Sequence, residues 1–218
     1  MTKQYKYIFW DMDGTIINSY PGIIESFDYA LAHFGLSEPD PAKKRQVIGP
    51  PLRETFSTLC GMDQEQTEVA VAKYREHYNA GAMFNCSVYA GVDAAIDAFH
   101  RAGYIQVITT SKPENMCKQI LGKFDLVKKM DMIVGASLDG RIDTKEQVLM
   151  EAFRRLQHPD PSQIVLIGDT RYDAIGANSV GIDCIGITYG FGTQEELESN
   201  GAIKVFETIE EVVTFLGA

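Results

Sequence analysis

Two aspartates, Asp11 and Asp13, close the apolar run Tyr5-Lys6-Tyr7-Ile8-Phe9-Trp10 and lead into Gly14-Thr15. In an extended segment, side chains at i and i+2 share one side, so both carboxylates face the same way. Two like charges at the end of a buried strand repel and resist burial unless something neutralises them. Three other places in the chain offer matching chemistry. Thr109-Thr110-Ser111-Lys112-Pro113 follows a second apolar run, Lys145 sits in Thr144-Lys145-Glu146-Gln147, and Gly168-Asp169-Thr170 is followed four residues on by Asp173. Gathered around one crevice, Asp11, Asp13, Asp169 and Asp173 require a hard cation. Mg2+ fits, because it takes oxygen ligands and is held by one or two carboxylates plus substrate phosphate. A Ca2+ loop does not fit, since the candidate ligands come from distant segments and lack its 1-3-5-7-9-12 spacing.

Lys145 lies in the first turn of an expected helix whose capping box is Thr144 with Gln147. A cation there opposes the helix dipole by roughly 0.3–1 kcal/mol, so helix stability does not explain it and a surrounding anion does. Thr110 and Ser111, ahead of Pro113, offer hydroxyls and backbone N–H groups at a helix start, an arrangement suited to an anion.

The elements that must position these groups follow from periodicity. "YIQVITT" (104–110), "DMIVGA" (131–136), "QIVLIGD" (163–169) and "IDCIGIT" (182–188) read as buried strands. They alternate with helices near 92–102, 114–123, 145–157 and 172–180, and a strand at 203–206 and a helix at 208–216 close the series. Such alternation predicts a Rossmann-like α/β fold, a parallel sheet flanked by helices. Its ligands bind beyond the carboxyl ends of the strands, where strand order reverses. Between 16 and 83 the pattern is helical throughout. Ile23, Phe27, Leu31 and Phe34 mark one face, Ser19 and Gly35 its expected start and stop, and further helices are expected near 40–47, 51–60 and 64–80. The predicted domains are an α/β core of 1–16 and 84–218 with an all-helical insertion at 17–83.

Composition sets the outer limits. The 218 residues are 45% apolar and carry a formal charge of −10, which argues against a nucleic-acid polymer or an acidic membrane as partner. No apolar run approaches the roughly 18 residues that read as a membrane span, and the first apolar stretch ends in Asp11, unlike a signal peptide. Cys60, Cys86, Cys117 and Cys184 form no CxxC pair, so reduced, buried thiols in a cytoplasmic protein are expected.

The series "DMDGT", "TTSKP", Lys145 and "GDTRYD", in that order, resembles the haloacid dehalogenase superfamily of phosphohydrolases over Tyr7 to about Tyr189. The insertion resembles that superfamily's small helical cap, and "GPPLRETF" (49–56), "SKPENM" (111–116) and "TYGFGTQEEL" (188–197) resemble its phosphoglycolate-phosphatase-like members, some of which act on nucleotides. The resemblance implies that Asp11 is the nucleophile and Asp13 the general acid and base. Thr110 and Ser111 then hold phosphoryl oxygens, and Lys145 neutralises them and Asp11. Mg2+ takes the Asp11 carboxylate, the Asp13 backbone carbonyl and Asp169, with Asp173 direct or through water. Lys112 is an alternative or supporting phosphate contact. Asn18 stands where many members have Asp, at the turn into the cap. Arg53 either contacts the far end of the substrate or forms a surface ion pair.

Other signals read as structural. Gly190-Phe191-Gly192 is a turn into a helix capped by Thr193 and Glu196, Lys43-Lys44-Arg45 is a solvated face, and the four histidines lack ligand spacing. The expected activity is Mg2+-dependent hydrolysis of a small phosphorylated metabolite, phosphoglycolate-like first and a nucleoside monophosphate second, by a monomer or homodimer. A sugar phosphomutase and a silent binding module are the rivals.

Overall fold

The computed structural model describes residues 5–38, 40–137 and 139–218. In chain order it forms β1 (Tyr7–Trp10), β2 (Ile17–Asn18), α1 (Tyr20–His33), α2 (Pro41–Arg45), α3 (Leu52–Glu54), α4 (Gln64–Ala80), β3 (Ser87–Val88) and α5 (Val92–Arg101). Then follow β4 (Ile105–Pro113), α6 (Glu114–Lys123), β5 (Met132–Ala136), α7 (Lys145–Arg155), β6 (Ile164–Gly168) and α8 (Arg171–Ser179). β7 (Asp183–Ile187), α9 (Gln194–Ser199), β8 (Lys204–Phe206) and α10 (Ile209–Leu216) complete the chain. Two compact units result: Met1–Ile17 with Val88–Ala218, and Asn18–Ser87.

The first unit is a six-stranded parallel sheet in the order β5-β4-β1-β6-β7-β8. β1 is central and buried on both faces, which is why it reads as an unbroken apolar run rather than an alternating one. Successive side chains leave opposite faces. Phe9 packs on Phe153 of α7 at 6.1 Å, among Val148, Leu149, Ala174 and Ala177, whereas Trp10 packs edge-on against Phe99 of α5 at 5.8 Å. Strand order reverses beside β1, between β4 and β6, and it is there that Asp11 emerges.

β4 departs from expectation. It runs on to Pro113 instead of ending at Thr110, and its pairing with β5 jumps from Thr110↔Gly135 to Pro113↔Ala136. Ser111 and Lys112 are therefore the extra residues of a bulge. Proline pushes the residue before it towards an extended conformation, so α6 starts only at Glu114. Gly135 permits the bulge: a Cβ there would lie 2.6 Å from the Lys112 carbonyl oxygen and 2.7 Å from the Glu114 nitrogen.

The second unit is mainly helical, with α1 packed on α4 and Phe27 stacked on Phe56 at 5.5 Å. Several details differ from expectation. A short strand, β2, occurs where none was expected, pairing with β3. Ser19 occupies the N-cap of α1 but does not cap it; Asn18 Oδ1 accepts the Tyr20 N–H at 3.3 Å, and Ser19 Oγ is buried with no partner among the described residues. The expected 51–60 helix is α3 followed by a wider π-turn at Thr55–Leu59. All four cysteines are free, as expected, but Cys60 and Cys86 are only half-buried. Among the described residues no helix is long and apolar enough to cross a membrane.

Candidate active site

Asp11 is the first residue past β1, with its N–H donating to Ile167 O at 2.9 Å, so its side chain is presented at the strand's carboxyl end. Lys145 is the first residue of α7, capped by the Thr144–Gln147 box as expected. Its buried Nζ donates to Asp11 Oδ1 and, at 2.9 Å, to Thr109 O, and lies 2.7 Å from Asp173 Oδ1. Gly176 makes room for the lysine stem, since a Cβ there would approach Lys145 Cγ to 2.5 Å.

Asp173 lies in the first turn of α8, where Thr170 N–H and Oγ1 donate to its Oδ2 at 3.0 and 2.9 Å. Asp169, fully buried at the end of β6, receives Thr15 Oγ1–H on Oδ1 (3.1 Å) and Phe191 N–H on Oδ2 (2.7 Å). Asp13 is half-buried. Its Oδ2 lies 3.3 Å from Lys112 Nζ, and its Oδ1 is buried without a partner among the described residues. Thr110 Oγ1 accepts the Lys112 N–H at 3.1 Å, while Ser111 is exposed on the bulge.

The structure thus brings Asp11, Asp169, Asp173 and Lys145 together, and Asp13 with Lys112. It holds Thr110 buried on β4 just before the bulge, in the strand next to β1. Arg53 belongs to the other unit and makes a bidentate, exposed ion pair with Glu68 at 2.5 and 2.9 Å.

Burial dominates the electrostatics. It pushes the Asp11 carboxyl up to about 7, against the pull of Lys145 and with the help of Asp173 and Asp13. Burial, then the charges of Asp173 and Asp11, raise Asp169 well above the ordinary carboxylate range, against the Phe191 and Thr15 hydrogen bonds. For Lys145 burial works against the charge, but Asp11 and Asp173 outweigh it and the ammonium is held more firmly than usual. Oxygens of Asp11, Asp169 and Asp173 lie within 4.8 Å of one another. Four carboxylates around two ammonium groups are a donor set short of positive charge. An all-oxygen divalent cation fits it.

Sequence reasoning missed the segment that grips Asp169. Gly190-Phe191-Gly192 does turn into α9, with the Thr193 cap as expected, but it also packs on the aspartate. A Cβ at Gly190 would lie 2.3 Å from Asp169 Oδ2, and one at Gly192 2.2 Å from Asp169 O. Gly14, at φ 91°, would place a Cβ 2.1 Å from the same Oδ2. Tyr189 OH donates to Thr15 O at 2.8 Å. The available signal was two glycines flanking an aromatic just past a strand end.

The chain is similar to known proteins over most of its length. The family described as haloacid dehalogenase-like hydrolase matches residues 8–187. A 5'-nucleotidase of Pseudomonas aeruginosa is 32% identical, over 90% of this chain and 89% of its own length. Tyrosine-protein kinase PtkA of Mycobacterium tuberculosis is also 32% identical, over 96% of this chain and 72% of its own. Phosphoglycolate phosphatase 1 of P. aeruginosa is 25% identical, over 97% and 80%. A solved structure of a predicted phosphatase from Clostridium acetobutylicum superposes with a TM-score of 0.91 at 37% identity, covering 97% of each chain.

Proposed function

This chain belongs to the haloacid dehalogenase-like hydrolases, as a phosphoric monoester hydrolase, and we propose that it cleaves a small phosphomonoester in two steps through a phosphorylated Asp11, with Mg2+ as cofactor. The observation that carries the reading is the Asp11–Lys145–Asp173 network set against Asp169 at the switch point of the sheet.

In the first step an Asp11 oxygen attacks phosphorus while the ester P–O bond breaks, and Asp13 gives its proton to the departing oxygen. In the second, Asp13 takes a proton from water, whose oxygen attacks phosphorus and releases phosphate and the Asp11 carboxylate. Such acid–base assistance contributes about 10²–10⁴-fold. Lys145 holds Asp11 in line and offsets its charge, and Thr110 and Ser111 would receive phosphoryl oxygens. Carboxylates of Asp11, Asp169 and Asp173, with the Asp13 carbonyl, would hold the Mg2+, which when bound neutralises phosphoryl charge. Arg53, released from Glu68, would meet the far end of the substrate. The helical unit, Asn18–Ser87, would serve as the cap domain and the α/β unit as the catalytic core, in a cytoplasmic monomer or homodimer that acts on a small metabolite.

A phosphoglycolate-like acid is the first candidate substrate. A nucleoside monophosphate is the second, supported by the 32% identity to a 5'-nucleotidase. The test is phosphate release from phosphoglycolate, sugar phosphates, nucleoside monophosphates and p-nitrophenyl phosphate, with and without Mg2+, beside Asp11→Asn. Mg2+-dependent release that vanishes in the variant is expected, and the ranking of esters names the substrate. No release from folded wild-type protein refutes the reading, and turnover that needs a sugar bisphosphate with little free phosphate replaces it with a mutase.

A further inference from the structure

Each aspartate of the Asp11-Met12-Asp13 pair has its own lysine. Lys145 on α7 serves Asp11, and Lys112 on the β4 bulge reaches Asp13 Oδ2 at 3.3 Å. We propose that Lys112 is a positioning residue for Asp13: it ties down Oδ2 so that Oδ1 is the oxygen that handles the proton in both steps. The inference rests on the phosphatase reading above.

The placement of Lys112 is built rather than incidental. An ordinary β4 would have sent residues 111 and 112 to alternate faces of the sheet in register with β5. The two-residue bulge, allowed by Gly135 and stopped by Pro113, instead leaves the Lys112 stem largely buried, with its side chain 9% exposed. The Lys112 N–H is fixed on Thr110 Oγ1, so the lysine is anchored at its backbone and again at its ammonium. Asp13 Oδ1, by contrast, is buried with no partner among the described residues. A buried polar atom left unpaired calls for an explanation, and an oxygen reserved for a transient proton supplies one. With Oδ2 held by Lys112, Oδ1 is the oxygen left open to the proton. Oδ1 then carries the proton to the departing ester oxygen and afterwards receives one from the attacking water.

Orientation of an acid–base group is worth a large share of its effect, because misplacement by about 1 Å can cost about 10²-fold. Steady-state kinetics of Lys112→Met and Lys112→Arg in the full-length protein with Mg2+ test the proposal. In Lys112→Met, kcat should fall about tenfold to a hundredfold, with KM and inhibition by inorganic phosphate changed less than about twofold. Lys112→Arg should restore most of the loss. The deficit in kcat/KM should be larger for an alkyl phosphate than for p-nitrophenyl phosphate, whose leaving group needs less protonation. Added to Asp13→Asn, Lys112→Met should change kcat less than about twofold, since coupled residues are non-additive.

A KM and a phosphate inhibition constant that rise together would make Lys112 a phosphate contact and overturn the proposal. So would a full additional loss in the Asp13→Asn background. Equal losses in the Met and Arg variants with a shared fall in Tm would reduce Lys112 to packing and overturn it as well. Failure of the phosphatase reading shows earlier and differently, as a wild-type protein that releases no phosphate.

Discussion

Replacing Gly190 by alanine adds one methyl group, in a place where it meets the candidate metal site. The new Cβ would lie 2.3 Å from Asp169 Oδ2, 2.5 Å from Asp169 Cβ and 2.5 Å from the Gly14 carbonyl oxygen. Each is at least about 1 Å inside a normal carbon contact of about 3.5–4 Å. Neither neighbour gives way cheaply. Asp169 is pinned by Thr15 and Phe191, and the Gly14 carbonyl belongs to a backbone at φ 91°. Overpacking of this kind costs about 1–3 kcal/mol, or roughly 2–12 °C in Tm at about 2–4 °C per kcal/mol for a chain of this size. The functional effect should be greater than the loss of stability. Pushing Asp169 aside disturbs a carboxylate that faces Asp11 and Asp173, and disturbing the support of a metal ligand typically costs about 10–100-fold in affinity. Isothermal titration with Mg2+ and a thermal scan, run in parallel, read both effects. Gly122→Ala is the control: it lies in α6 with nothing within 4 Å of the added Cβ, and helix propensity alone makes it neutral or stabilising by up to about 1 kcal/mol. If Gly190→Ala binds Mg2+ and melts like the wild type, the argument that the 190–192 segment sets the site is wrong.

Other expectations follow from the same charges. The fold raises the Asp11 carboxyl to about 7, and Asp169 moves the same way. In metal-free protein the uncharged forms are therefore favoured by folding, and this contribution, complete below about pH 4, is lost as pH rises through 7. Mg2+ binds the charged forms, so its effect on Tm should be larger at pH 8 than at pH 5, and equal shifts would contradict the assignment. Lys145→Met should abolish phosphate release and destabilise the fold by about 3–5 kcal/mol, the range for breaking a buried ion pair. Its Tm deficit should shrink at pH 5, where Asp11 is uncharged; a deficit independent of pH would dissociate Lys145 from Asp11. Arg53→Ala should leave Tm nearly unchanged, because its Glu68 pair is exposed, while raising KM for the preferred ester. An unchanged KM removes Arg53 from the substrate.

The parts of the site that were legible in the sequence are those set by local rules. Apolar runs ending in Asp11 and Asp169 announce strand ends, the Thr144–Gln147 box places Lys145 at a helix start, and the strand–helix alternation predicts the parallel sheet that brings them together. What escaped depends on partners far away in sequence. The bulge that delivers Lys112 to Asp13 requires Gly135 on the neighbouring strand, and nothing in Thr110-Ser111-Lys112-Pro113 itself specifies it. The Tyr189–Gly192 segment reads locally as a turn into α9, and so it is; its grip on Asp169 follows from the β6–β7 pairing. At α1 the expected start is the observed one, with Ser19 at the N-cap, but the side-chain oxygen that accepts a first-turn N–H belongs to its neighbour Asn18, also a good capping type.

The central place of β1 in the sheet has a consequence for how the protein comes into being. Tyr7–Trp10 lies far ahead of both its neighbours in the chain, Ile105–Ile108 and, farther still, Ile164–Ile167. On a ribosome the strand that carries both aspartates waits, unpaired on at least one edge, until β6 has emerged. Asn18–Ser87, a single continuous stretch, has its own partners in hand much sooner. Closing long chain loops is slow, so amide protection in β1 during refolding should appear together with that of β6 and after that of α1 and α4; pulse-labelled hydrogen exchange would show a different order if this is mistaken. In that order of events Asp11 and Asp13 would stay hydrated until the sheet closes around β1, when Lys112 and Lys145 are at hand to offset their charge.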